Sequence, residues 1–396
     1  MGHERWDQDT LSYLIRGTSA EDFFSNYHEQ RALYCEHNEA DRFDGLLSVD
    51  RIDEIIATTE LPPTSVQMAR KEPPIDRSFY TFKNGNIDRG AVINHYQKGA
   101  TIILPQLHLA DEKLAQFCRS LEKELSCKVQ TNAYLTPPSS QGFSTHYDDH
   151  DVFIVQISGK KKWHLYQRPI DNPYSGERFK SGVYEAGALE QDFILKAGDC
   201  VYIPRGLMHD ATTIGDEPSL HITVGLLVNK WADLMLEAMS EVALRNPKFR
   251  RALPAGFAED IFNTADAKEY FEDLVNEFSE GANFEEVFEY FKESFLRLRR
   301  PNYRGQLNLA LSPLDKSNWF VRRANLQALV RSDGKEVIVV AGGGDLHFIA
   351  NSLKGIKAAL SGEKFSISAF SDISKIEGES IIRKLCAFGL IEKTDL

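Results

Sequence analysis

The sequence predicts an α+β protein with an antiparallel jelly-roll barrel in its first half, a helical block behind it and a second compact α+β unit at the end. Three observations carry this reading. From about Val129 to Val228, short runs of β-branched and aromatic residues alternate with turn residues at regular spacing. After Asn229 the apolar residues recur three and four positions apart in an acidic background. From Pro301 the pattern returns to mixed strand and helix signals. At 396 residues the chain is too long for one ordinary core, so two or three units are expected.

The first hundred residues mix helix and strand signals. Ser48 is placed to cap a helix carrying Val49, Ile52, Ile55 and Ile56 at helical spacing. A second helix is expected from about Leu109 to Leu125, with Leu114, Phe117 and Leu121 on one face. VQTNAYLTPP alternates as a strand does. VFIVQISGKKKWHLY reads as two strands around the turn at Ser158 and Gly159, and DFILKAGDCVYIPRG as two more around Gly198; LHITVGLLV follows. Phe284, Phe288, Phe291, Phe295 and Leu298 form an aromatic stripe of the kind found in a helix core or helix–helix interface. Pro301 ends that block. The remainder shows a strand in EVIVVAGG, a helix around Leu353 to Leu360 and a helix-turn-helix-like stretch, FSISAFSDISKIEGESIIRKLCAFGLIE. The expected divisions are 1–228, 229–300 and 301–396.

Composition narrows the function classes. The chain is 42% hydrophobic and 26% charged, the balance of a globular protein, and its formal net charge is −12. That charge argues against tight, non-specific binding to a phosphate backbone or an anionic membrane and favours encounter with a basic partner. The five cysteines (Cys35, Cys118, Cys127, Cys200, Cys386) are scattered and never form a C-x-x-C pair, which reads as reduced thiols. The start, MGHERWDQDT, shows no apolar signal region, and Trp6 stands where a myristoylation motif needs Ser or Thr. No apolar run approaches a membrane span. A cytoplasmic location is expected.

The chemistry concentrates in STHYDDHDVFIVQISGKKKW and GDCVYIPRGLMHDATT. On a strand, alternate residues share a face, so His146 and Asp148 can point together into a barrel. His209 follows a strand and a Pro-Arg-Gly turn, where a neighbouring strand can return a third ligand. Two imidazoles and a carboxylate leave coordination positions open, which suits Fe(II) and O2 chemistry; a structural zinc site is normally closed by four ligands and favours Cys. An H-x-D pair alone also fits a surface pair without metal. His150 lies on the same even-numbered face, so a three-His site of His146, His150 and His209 is the rival arrangement. His164 and His221 are expected to be hydrogen-bonded barrel residues rather than ligands.

An oxygenase of this kind also holds an anionic cosubstrate whose far carboxylate needs a buried cation. Alternation with Trp163 and Leu165 puts Lys161 on the inward side of its strand, whereas the bland reading makes Lys160, Lys161 and Lys162 a solvated hairpin tip. Asn132 and Tyr134 share a face of the preceding strand, from which either can hydrogen-bond the cosubstrate.

HYDDHDVFIVQISGKKKW and GDCVYIPRGLMHDATT…SLHITVGL resemble the ribosomal oxygenase group of the JmjC/cupin-like hydroxylases. Outside the barrel, FFSNYHEQRALYCEH…FDGLLSVDRIDEII is similar to that family's N-terminal segment, in which F-x-x-x-Y-x-E-x-x-x-L precedes a leucine-rich helix. The resemblance implies a double-stranded β-helix (jelly-roll, cupin/JmjC) barrel followed by a helical dimerisation region and a C-terminal winged-helix-like domain. It implies that His146, Asp148 and His209 bind Fe(II), that Lys161 pairs with the distal carboxylate of 2-oxoglutarate, and that Tyr134 assists. It further implies a homodimer that uses O2 to hydroxylate a His or Arg side chain of a protein, a ribosomal protein foremost. A Lys at position 161 resembles the histidyl-hydroxylase branch, since the arginyl branch tends to carry Arg there; His150 departs from the apolar or acidic residue expected at its place. Hydroxylation of a small peptide, JmjC-type demethylation and a non-catalytic cupin-like binding role are the alternatives. In the helix-turn-helix-like end, Glu377 and Glu379 accompany Arg383 and Lys384, so the basic stripe that direct nucleic-acid binding requires is absent.

Overall fold

The computed structural model describes residues 6–58, 60, 62–174, 176–310, 314 and 317–395, in two units, Met1–Val228 and Asn229–Leu396. The first five residues of the leaderless start expected above lie outside the described residues. No helix among the described residues is long and apolar enough to cross a membrane.

Among the described residues the first unit has ten strands: β1 (Leu33–Cys35), β2 (Gln67–Ala69), β3 (Thr101–Leu104), β4 (Lys128–Thr136), β5 (Asp151–Ser158), β6 (Lys160–Tyr166), β7 (Leu189–Lys196), β8 (Cys200–Ile203), β9 (Met208–Thr213) and β10 (Ser219–Leu227). Seven form one antiparallel sheet in the order β1-β8-β5-β10-β4-β3-β2, and three form a second in the order β7-β6-β9. This is the two-sheet arrangement of a double-stranded β-helix.

The strand β5 is buried along almost its whole length because both of its faces are covered. Val152 and Ile154 pack with Trp163, Leu165, Leu195 and Val201 between the sheets. Phe153, Val155 and Ile157 join the larger core outside, with Phe23, Phe117 and Tyr202. The strand β4 alternates: Val129, Ala133 and Leu135 belong to that outer core, leaving Gln130, Asn132, Tyr134 and Thr136 on the opposite face.

The turn at Ser158 and Gly159 does not make a hairpin. It carries the chain from β5 in one sheet to β6 in the other, so the run Lys160–Lys162 is no hairpin tip. Gly159 has φ +66, and a Cβ there would strike the Pro218 carbonyl oxygen, so only glycine fits. Gly198 (φ +87) makes the same kind of crossing between β7 and β8.

Two helices brace the outer core. In Val49–Thr58, Ser48 Oγ accepts the Arg51 N–H at 3.1 Å, and Ile52, Ile55 and Ile56 are buried. The second begins later than its apolar pattern implies, at Glu112. Asp111 caps it by accepting from Lys113 and Leu114, and Leu107–Leu109 form a separate 3-10 turn. Leu114, Phe117 and Leu121 are fully buried, each contributing about 1.5–3 kcal/mol. The short strands β1, β2 and β3 escape sequence reading because three or four residues are too few to show a period.

The second unit has helices Trp231–Arg245, Ala265–Gly281 and Phe284–Leu298, then strands β11 (Trp319–Arg322), β12 (Ala328–Ser332), β13 (Glu336–Ala341), β14 (Gly344–Ile349) and β15 (Ile391–Thr394). A three-stranded sheet, β12-β13-β14, and a β11-β15 pair enclose Phe320, Val337, Val339, Ile356, Ile382 and Leu385 with helices Leu353–Ala359 and Lys375–Ala387. The aromatic stripe departs from expectation within this chain. The buried face of Phe284–Leu298 is Val287, Glu293 and Leu296, whereas Phe284, Phe288 and Leu298 are exposed.

Candidate metal centre

His146 and Asp148 lie in the irregular segment before β5 and not on a strand, contrary to expectation. Asp148 and Asp149 disfavour regular strand there. The segment is pinned instead by a single β-bridge: the His146 N–H donates to the His209 carbonyl at 3.0 Å, and the His209 N–H returns the bond at 2.7 Å. The Gly206 N–H donates to the Asp148 carbonyl at 3.0 Å. His209 stands on β9, a strand of mixed polarity (MHDATT) that exists by pairing with β6.

One ligand atom from each of His146, Asp148 and His209 can be chosen so that all lie within 4.8 Å of one another. Nε2 of His209 is 3.7 Å from Oδ2 of Asp148, and the two imidazole centroids are 4.7 Å apart. Nδ1 of His146 donates to the Ser144 carbonyl at 2.8 Å, and Nδ1 of His209 donates to the Leu207 carbonyl at 2.9 Å. A carbonyl only accepts, so both protons sit on Nδ1 and each Nε2 keeps its lone pair for a metal. Burial, reinforced by the neighbouring His146, pushes the His209 pKa down to about 4, so the ring is neutral at physiological pH. Two neutral imidazoles and one carboxylate, with no Cys, fit an open Fe(II) site better than closed structural zinc.

Deeper in the barrel, β6 alternates so that Lys161, Trp163 and Leu165 are buried. Lys161 is 5% exposed, and its Nζ donates to Thr136 Oγ1 at 3.0 Å. No carboxylate among the described residues lies within ion-pair distance of it. Burial alone lowers its pKa to about 7. Around this ammonium, the Tyr134 ring stacks on His221 at 4.8 Å, and Trp163 meets His221 edge-on at 6.0 Å and His209 at 6.0 Å. The Tyr134 phenol is held in its neutral form by burial and by the Asp148 charge, against the opposing pull of its hydrogen bonds to Asn132 and Thr223. Asn132 Oδ1 is already engaged by the Gln106 N–H at 2.9 Å.

Residues 104–234 match the JmjC domain family. The matched stretch spans strands β4 to β10 of the barrel. The chain is 33% identical over 257 residues to the bifunctional lysine-specific demethylase and histidyl-hydroxylase NO66 of Drosophila grimshawi, covering 62% of this chain and 35% of that protein. It is 33% identical over 263 residues to the protein of the same name from Dictyostelium discoideum, covering 63% and 50%. The matched region thus spans half or less of these relatives' lengths. The structure is similar to that of Escherichia coli ribosomal oxygenase YcfD, with TM-score 0.56, 15% identity and coverage of 95% of this chain and 98% of the other. YcfD in complex with cobalt and 2-oxoglutarate gives TM-score 0.55 at 14% identity over 96% and 99%. The shared fold is that of the JmjC/cupin barrel.

Three further histidines of the barrel, His150, His164 and His221, separate by position. His150 is not part of the metal cluster: its Nδ1 lies 3.2 Å from Asp149, and its ring packs so closely on Gly225 that a Cβ there would lie 2.8 Å from it. The rival three-His arrangement is therefore not assembled. His164 is a hydrogen-bonded strand residue as expected, with Nδ1 donating to Asp210 at 2.9 Å. His221 departs from that expectation, because its buried Nδ1 has no hydrogen-bond partner among the described residues. Sequence reading also misses Thr136 and Thr213. Thr136 was accessible through its period-two relation to Asn132 and Tyr134, but Thr213 is placed opposite Lys161 only by β6–β9 pairing. The ring of Phe179 lies 6.3 Å from that of His146, and the ring of Phe143 lies 5.7 Å from it.

Proposed function

We propose that this protein is an Fe(II)- and 2-oxoglutarate-dependent oxygenase that hydroxylates a side chain, His before Arg, of a basic protein, with a ribosomal protein as the leading class. The observation that carries the reading is the buried, carboxylate-free Lys161 in the same barrel as the open His146–Asp148–His209 cluster. A buried ammonium without a counter-ion is costly unless an anion joins it. When bound, Fe(II) with 2-oxoglutarate supplies the oxidative chemistry: O2 and the 2-oxo acid give succinate and CO2, and one oxygen enters a C–H bond of the substrate. His146, Asp148 and His209 would hold the metal. Lys161 and Thr136 receive the distal carboxylate, Tyr134 and Asn132 orient it, and Trp163 keeps water from the inner end. The NO66 histidyl-hydroxylases support the histidyl branch, and YcfD, a ribosomal oxygenase seen with cobalt and 2-oxoglutarate, supports a ribosomal substrate and this cosubstrate. The net charge of −12 favours encounter with a cationic partner. Because the NO66 name also includes demethylation, the test is product mass: gain of one oxygen on the substrate, coupled to succinate release.

The helical region 229–300 pairs two copies of the chain in this reading, and 301–396 is a winged-helix-like domain that does not bind nucleic acid directly. Trp231, Leu236, Leu244, Phe271, Phe284 and Phe288 are all exposed in the single chain, more apolar surface than helices of a stable monomer usually leave in water. Light scattering at micromolar concentration is expected to give twice the chain mass, and Phe284→Asp with Phe288→Asp should shift it to the monomer. A monomeric wild type would remove the dimer from the account. Glu377 and Glu379 on the helix Lys375–Ala387 support the exclusion of nucleic acid.

A further inference from the structure

The bridge that brings His146 to His209 consists of one residue pair, a thin connection for two groups that must share a metal. Next to it, on the face away from the imidazoles, Asp210 collects three side chains. Thr145 Oγ1 donates to its Oδ2 at 2.8 Å, Tyr166 OH donates to the same oxygen at 3.0 Å, and His164 Nδ1 donates to Oδ1 at 2.9 Å. Asp210 is 8% exposed. Thr145 immediately precedes His146, and Asp210 immediately follows His209. In an antiparallel bridge the residues flanking the paired positions face the other side, so the Thr145–Asp210 bond extends the pairing that sets the His146–His209 spacing. His164 and Tyr166 anchor the same carboxylate to β6, whose register places His164 opposite Asp210 and Leu165 opposite His209.

We propose that Asp210 is a positioning residue for the metal centre: through Thr145 it fixes the irregular segment carrying His146 against the strand carrying His209, and so sets metal affinity without touching the metal. The inference rests on the metal-binding reading above. Carboxylates that orient metal ligands typically govern affinity by about 10–100-fold.

The test uses the whole protein and Co(II) as probe, without oxygen or turnover. Visible absorption of bound Co(II) reports both affinity and coordination geometry. Asp210→Asn, whose single amide oxygen cannot accept all three bonds, and Thr145→Val, which lacks the donor, should each weaken Co(II) binding by about 10-fold or more and change its spectrum. Thr145→Ser keeps the hydroxyl and should restore both. A purely structural role would lower melting temperature while leaving the affinity and spectrum of bound Co(II) unchanged in the folded fraction, and that result would overturn the proposal. Thr145→Val is the milder variant and decides the matter if Asp210→Asn does not fold. Failure of the wild type to bind Co(II) would instead remove the metal centre itself.

Discussion

His209→Ala is expected to lower Fe(II) affinity by more than about 100-fold and with it to abolish conversion of 2-oxoglutarate to succinate. The estimate is a lower bound, because loss of an outer partner alone typically costs 10–100-fold, and this change removes a ligand. His209 is the buried member of the triad, already neutral and aimed by the bond its Nδ1–H donates to the Leu207 carbonyl. His150, the rival ligand that the sequence offers in place of Asp148, packs on Gly225 outside the cluster. Equilibrium dialysis against Fe(II) under anaerobic conditions, with a parallel succinate assay, checks both parts. Retained metal binding in folded His209→Ala would exclude this ligand set.

The second large effect is on the cosubstrate. Lys161→Ala should raise the 2-oxoglutarate concentration needed for half-maximal turnover by about 30- to 900-fold, corresponding to 2–4 kcal/mol for a carboxylate left unpaired in a buried pocket. The Fe(II) requirement should stay near that of the wild type, since no metal ligand changes. Lys161→Arg keeps a cation and should recover much of the affinity. The same residue gives binding a pH signature. With its pKa held at about 7 by burial, the empty-site Lys161 loses its proton as pH rises, and only the ammonium attracts the carboxylate. The apparent 2-oxoglutarate affinity of the wild type should therefore fall about five-fold from pH 7 to 8 and about nine-fold over the next unit, until the pKa of the complex intervenes. Lys161→Ala should lose this dependence. Titration calorimetry across that range reads it, and a flat wild-type profile would exclude Lys161 as the anion receptor.

The parts legible in the sequence are those where local pattern and final environment agree. Alternation in KKKWHLY places Lys161 inward because both sides of β6 see consistent surroundings, with the core on one and polar neighbours on the other. Alternation in VQTNAYLT likewise groups Asn132 with Tyr134. Pairings between distant strands leave no local trace. MHDATT has no strand-like pattern, yet becomes β9 because β6 offers it a partner edge, and the contact of Lys161 with Thr136 arises only when the two sheets face each other. The H-x-D segment misled in the opposite direction. Period two suggested a strand, but its aspartates turn the chain, and the ligands meet through one bridge and the Asp210 contacts. His164 and His221 look alike in sequence and end on opposite faces, one bonded to Asp210 and the other stacked on Tyr134. The aromatic stripe of Phe284–Leu298 reads as helix core or a helix–helix interface, yet Phe284, Phe288 and Leu298 are exposed, because the helix buries a different set, Val287, Glu293 and Leu296.

The most direct test of the account is the mass of the protein product. Ribosomal proteins from cells lacking this protein, incubated with the purified enzyme, Fe(II), 2-oxoglutarate and O2, should gain about 16 Da on one His or Arg residue of one protein, the mass of one inserted oxygen. Succinate should appear in equal amount, and neither product should form with His209→Ala. Loss of a methyl mass from lysine would replace hydroxylation with demethylation on the same metal site. An unchanged ribosomal proteome, with wild-type protein that still binds Fe(II) and 2-oxoglutarate, would contradict the ribosomal substrate.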